Sequence, residues 1–163
     1  MFQNILLTVD GSPTSLRAAR HGIELAKILS ARVTALTVTI PWAAYFAREL
    51  AVVIPEVIIP KGQYDDKRET IATSVLHKVV ADARSAGVPA RSLHSCNSDP
   101  YRAILEAAKR EGCDLIVMGS HCERGFSGAL LGSETIKVLA HTSVPVLVYR
   151  ESKTLGRGTY GAL

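Results

Sequence analysis

Long apolar runs are missing from this sequence. No stretch approaches the roughly 18 consecutive apolar residues of a membrane-spanning helix. The opening "MFQNILLTVD" also has no basic segment leading into an apolar core, the mark of a secretory leader. The expectation is a cytoplasmic chain with no membrane partner. Cysteine is scarce too: Cys96, Cys113 and Cys122 are odd in number and show no CxxC spacing. That argues against a disulfide framework and leaves reduced thiols. His21, His77, His94, His121 and His141 are dispersed, and the adjacent pair His121 and Cys122 has no matching ligands nearby, so no metal site is expected. A block of one charge is likewise absent. Lys and Arg number 19 against 15 Asp and Glu, a net +4, and they are scattered. This describes a solvated, mildly basic surface rather than a nucleic-acid-binding arm.

What is present is ample material for one core. With 163 residues, 47% of them apolar and 21% charged, the chain has the size of one domain. "NILLTVD" (4–10) reads as a strand buried on both faces, ended by Asp-Gly. In the following segment Ser12 is placed to cap, Pro13 takes a first helical position, and Leu16, Ala19, Ile23, Ala26 and Leu29 recur at helical spacing. "RVTALTVTI" (32–40) is a second strand, stopped by Pro41. Residues 41–64, interrupted by Pro41, Pro55 and Pro60, read as a long connection with room for one short helix. It either covers part of the core or faces a partner.

A helix is expected over 65–87, with Ile71, Val75, Val79 and Ala83 as its apolar stripe and Gly87 after its end. "VPARSLHS" suits a strand, and "DPYRAILEAAKREG" a helix with Asp99 as cap and Gly112 as stop. "CDLIVMG" is the most apolar run and reads as a central strand, followed by "SETIKVLAHT" as a helix and "VPVLVYR" as a last strand. Residues 151–163 read as a loose polar tail. Strands alternating with helices predict an open parallel sheet covered on both faces, of Rossmann-like α/β class. Ligands in such sheets gather beyond the carboxyl ends of the strands, where the strand order reverses.

Two strand ends carry suitable chemistry: "VDGSP" (9–13) after the first strand, and "MGSHCERG" after the fourth, which opens the stretch "MGSHCERGFSGALLGSET" (118–135). Gly119 lets backbone approach closely, and Gly132-Ser133 at a helix start offers N–H groups and a hydroxyl to an anion. Glycine spacing alone fits a plain loop equally well. No Walker A pattern aligns here, and no G-x-G-x-x-G follows the first strand.

Over residues 1–150 the chain resembles the universal stress proteins. The ATP-binding branch of that family carries a glycine, two residues, a second glycine, nine residues, then Gly-Ser or Gly-Thr. Gly119, residues 123–131 and Gly132-Ser133 fit that register, with Cys122 in the second glycine's place. "NILLTVDGS", "DPYRAILEAAKREGCDLIVMGSH" and "HTSVPVLVYR" resemble the family's other recurring segments.

The resemblance implies a five-stranded parallel sheet in the order 3-2-1-4-5. It also implies a homodimer through the last strand, and ATP or AMP as ligand, with Mg2+ only as the companion of ATP. By position it assigns Asp10 to the nucleoside and Thr8 and Val38 to adenine. Met118, Gly119, Cys122, Gly132, Ser133 and Glu134 fall in the stretch that meets ribose and phosphates.

Each of these residues has a plainer role available. Asp10 suits the turn that starts the first helix, Val38 suits the core, and Ser133 suits a helix N-cap. His121 and Arg124 lie within phosphate reach but also suit a solvated loop. Cys122 reads as a redox thiol or as a tolerated small residue. If the second glycine serves positive φ, a cysteine there costs about 1–2 kcal/mol, roughly tenfold in affinity. If phosphate lies against its α-carbon, the side chain blocks the pose.

Three functions follow: a regulatory module binding ATP or AMP, a dimeric stress protein with a purely structural loop, or an enzyme. The last is at most a slow ATPase or a thiol redox protein, since no P-loop lysine and no paired carboxylates for magnesium flank the loop.

Overall fold

The computed structural model describes residues 1–49, 60–120 and 131–150. His121, Cys122 and Arg124, and the tail 151–163, lie outside the described residues. Five strands form one parallel sheet: β1 (Asn4–Thr8), β2 (Arg32–Thr39), β3 (Ala90–Cys96), β4 (Leu115–Gly119) and β5 (Val146–Tyr149). Their order is β3-β2-β1-β4-β5, as the resemblance implies. β1 is flanked by β2 and β4, so the order reverses beside it, and this is where such sheets open a crevice.

Alternation along the strands builds two cores. Ile5 and Leu7 of β1, Val33 and Ala35 of β2, and Leu115 and Val117 of β4 face one side. There they pack on α1 (Pro13–Leu29) and α3 (Lys61–Ser85). Leu6, Leu36, Ile116 and Met118 face the other side, against α4 (Pro100–Arg110) and α5 (Ser133–His141). Ile5, Leu6, Leu7 and Ile116 are wholly buried, each worth about 1.5–3 kcal/mol of transfer free energy.

Local chemistry explains the helix ends. The Ser12 hydroxyl accepts the Ser15 amide at 3.2 Å, and Pro13 opens α1. Gly11 turns the chain at φ 85°, and a side chain there would also meet Val75. Two expected caps differ. Asp99 takes the N-cap position of α4 without a side-chain cap bond. Ser133 is the first helical residue of α5, and Gly132 is the N-cap.

The segment 41–64 holds the one short helix for which it had room, and α3 begins before the expected residue 65. Trp42–Glu49 forms α2, and α3 starts at Lys61. Pro41 and Pro60 bound these helices: Tyr45 N–H bonds to the Pro41 carbonyl, and Tyr64 N–H to that of Pro60. Residues 50–59 lie outside the description. The α3 stripe also differs from the expected one. Ala72, Leu76, Val79, Val80 and Ala83 are buried, whereas Ile71 is 43% exposed. A spacing of four overshoots the helical turn by about 40° each step, so Ile71 has rotated away from the face that Ala83 holds.

Candidate functional site

Three of the residues expected at the nucleotide site come from three adjacent strands. Thr8 of β1 stands opposite both Leu36 of β2 and Met118 of β4. Side chains two apart share a face. Thr8 therefore points to the side of Leu6, Val38 to that of Leu36, and Met118 to that of Ile116, which is the α4/α5 side in all three cases. The sheet thus places Thr8, Val38 and Met118 together on one face at the carboxyl end. Met118 is buried, whereas Thr8 and Val38 are half-buried at the rim. The β1 and β2 ends are tied by the Thr37 hydroxyl, which donates to the Val9 carbonyl at 2.9 Å.

Asp10 sits one turn beyond β1. Its carboxylate accepts the Ser12 amide at 2.9 Å, and its own amide donates to the Ser15 hydroxyl at 3.3 Å. It therefore shapes the start of α1, the plainer role available to it, while its side chain stays at the exposed carboxyl edge of the sheet.

Gly119 ends β4 against the first turn of α1. A Cβ added there would lie 2.9 Å from both the Ser15 Cα and the Ser15 amide nitrogen. The backbone that the missing side chain admits is that of α1. A steric reason for this glycine therefore exists inside the fold, independent of any ligand.

The start of α5 brings Gly132, Ser133 and Glu134 to the same end. Helix geometry leaves the amides of the first turn without an intrahelical acceptor, the arrangement that attracts anions. Ser133 is exposed. Glu134 turns elsewhere. One carboxylate oxygen accepts the Tyr101 amide at 3.0 Å, and the other pairs with Lys137 at 2.8 Å. Glu134 thus caps α4, the task Asp99 leaves undone.

Ser120 was missed by sequence reasoning. It is buried directly after β4, and its Oγ accepts the Gly132 amide at 2.9 Å. No periodicity marks a serine after a strand-end glycine; its one signal is a small hydroxyl at the entry to a long loop.

Other parts of the surface gather less chemistry. A shallow groove of about 780 Å³ runs along α3, lined by Asp66, Glu69, Thr70, Thr73, Ser74, His77 and Lys78. All belong to one helix, and none to a strand end. Among the described residues no group of three or more His, Cys, Asp or Glu is placed to hold a metal ion, and no helix is long and apolar enough to cross a membrane.

Comparison with known proteins gives this arrangement a context. The chain is 32% identical over 155 residues to universal stress protein MJ0531 of Methanocaldococcus jannaschii, covering 94% of this chain and 85% of the relative. It is 31% identical to universal stress protein YxiE of Bacillus subtilis, covering 92% and 100%. Among solved structures, MJ0577 of M. jannaschii superposes with a TM-score of 0.74 at 23% identity, over 94% of this chain and 99% of that one. A universal stress protein solved in complex with cAMP gives 0.68 at 22%, over 93% and 99%. That of Archaeoglobus fulgidus, in complex with dAMP, gives 0.63 at 19%, over 90% and 97%. At such identities the structures share the fold. The family model of the universal stress proteins matches residues 1–150, and the chain belongs to that family.

Proposed function

We propose that this chain is a regulatory module that binds an adenine nucleotide, ATP or AMP, at the carboxyl ends of β1, β2 and β4. The observation that carries this reading is the shared face of Thr8, Val38 and Met118 beside the start of α5. An apolar rim of this kind accepts a flat base, and the α5 amides suit its phosphates. The cAMP and dAMP complexes of other family members support the choice of an adenine ligand. Asp10 serves the ribose from the edge of the α1 turn. Mg2+ enters only with ATP, bound to the triphosphate. The domain comprises residues 1–150, with 151–163 as a tail. Binding rather than turnover is the task, because the sequence has no P-loop lysine.

The same reading includes a homodimer through β5. That strand is an edge of the sheet, with Leu147 exposed on it and Ile136 and Leu139 exposed on neighbouring α5. Light scattering of the purified protein should give twice the chain mass, and Leu147→Asp should shift it toward the monomer.

A second reading, a dimeric stress protein with a purely structural loop, is favoured by one observation: the steric reason for Gly119 lies in α1. Calorimetric titration with ATP, ADP and AMP separates the two. Saturable heat supports the nucleotide module, and no heat at millimolar ligand supports the structural loop. A Cys122→Gly variant that gains binding its parent lacks also assigns the parent to the second class.

A further inference from the structure

Ser120 occupies a junction that its neighbours do not share. Its amide donates to the Tyr149 carbonyl at 2.9 Å, extending the β4–β5 ladder one residue past Gly119. The Tyr149 ring in turn stacks on His21 of α1, with ring centroids 5.1 Å apart. The backbone of Ser120 is therefore fixed by the last strand. Its hydroxyl, 2.9 Å from the Gly132 amide, reaches across the 11 residues that separate the two in sequence. A buried acceptor on a fixed backbone thus sets where α5 begins relative to the end of β4.

This has a consequence for the donors at the helix start. Because the Gly132 amide is given to Ser120, the amides that helix geometry leaves for an anion are those of Ser133 and the residues after it. Without the tie, the first turn of α5 keeps its Glu134–Tyr101 bond to α4 but loses its hydrogen bond to the end of β4, and a ligand must order it there on arrival.

We propose that Ser120 is a positioning residue for the nucleotide site: it holds the Gly132 amide so that the α5 donors are aimed before the ligand arrives. The proposal rests on the adenine-nucleotide reading above. A partly buried hydrogen bond of this kind, lost on the binding side, corresponds to about a tenfold change in affinity.

The test combines AMP calorimetry with amide exchange of the nucleotide-free protein by NMR, on the parent and on Ser120→Ala, Ser120→Cys and Ser120→Thr. In Ser120→Ala the expected results are AMP binding weakened about tenfold and faster Gly132 exchange, with Leu6 and Ile116 amides as protected as in the parent. Ser120→Thr restores both. Ser120→Cys, closer in size and a weaker acceptor, should show the same losses if Ser120→Ala folds poorly. Unchanged AMP affinity in Ser120→Ala, or a Gly132 amide that stays protected there, overturns the proposal while leaving the nucleotide reading intact. A parent that binds no AMP or ATP overturns the reading and with it the role of the tie, whereas Gly132 exchange still reports whether the tie exists.

Discussion

The Glu134 carboxylate at the start of α5 accepts the Tyr101 amide at the start of α4, at 3.0 Å. One helix thereby caps the other across the packed interface, and both helix starts are held at the sheet end proposed to receive the nucleotide. Replacing Glu134 with Ala should destabilise the fold by about 1 kcal/mol, the usual effect of a lost cap, measured by urea unfolding. Glu134→Gln keeps an acceptor for Tyr101 and should lose less, because the pair with Lys137 is partly exposed and contributes little.

Gly119 is a steric requirement of the α1 approach. Gly119→Ala places a methyl 2.9 Å from Ser15 backbone atoms, which cannot be relieved by a rotamer change. Destabilisation by about 1–3 kcal/mol is expected, and it should appear in the nucleotide-free protein. A variant as stable as its parent would mean that the glycine serves only a ligand.

The two described thiols should differ in reactivity. Cys113 is buried, and burial pushes its thiol above the usual range; Cys96 is exposed. Alkylation at about pH 8, followed by peptide mass mapping, should modify Cys96 in the folded protein and Cys113 only after unfolding.

At the opposite end of the sheet, Glu111 bonds Arg110 and pairs with Arg91, which also donates to the Thr34 hydroxyl. Its carboxyl is held below the ordinary value, first by the Arg110 hydrogen bond, against some desolvation, and with help from the Arg91 and Arg110 charges. A lowered folded-state pKa stabilises fully above the unfolded value of 4.5, and the benefit is lost as pH falls through the folded value. The stability gap between the parent and Glu111→Gln should therefore be largest at neutral pH and close in acid. A gap that stays constant would contradict the assignment.

Much of this was legible in the residues. β1, β2 and β4 are short apolar runs closed by Asp, Pro or Gly, and parallel strands buried on both faces carry that mark whatever packs on them, whereas edge strand β3, with Arg91, Ser92, His94 and Ser95, carries it weakly. Ser12, Pro13 and Gly112 act locally, so their roles follow from neighbours in sequence. The differences arise where a distant partner decides. Asp99 had the residue type of a cap, but Glu134, 35 positions further on, does the work. The Ile71 spacing looked helical, but a fixed step of four drifts off the buried face over three turns. Ser120 carried no pattern at all, since its meaning depends on Gly132 arriving beside it. Thr8, Val38 and Met118 were named by resemblance, and strand parity is what places them on one face.

The central claim, that the carboxyl ends of β1, β2 and β4 with the start of α5 receive an adenine nucleotide, is tested most directly by following backbone amide resonances during titration with AMP. Saturable shifts are predicted at Asp10, Val38, Gly119 and Ser133, with Asn4, Glu111 and Asp114 at the far end of the sheet unmoved. No shifts at millimolar AMP, or shifts confined to that far end, would contradict it.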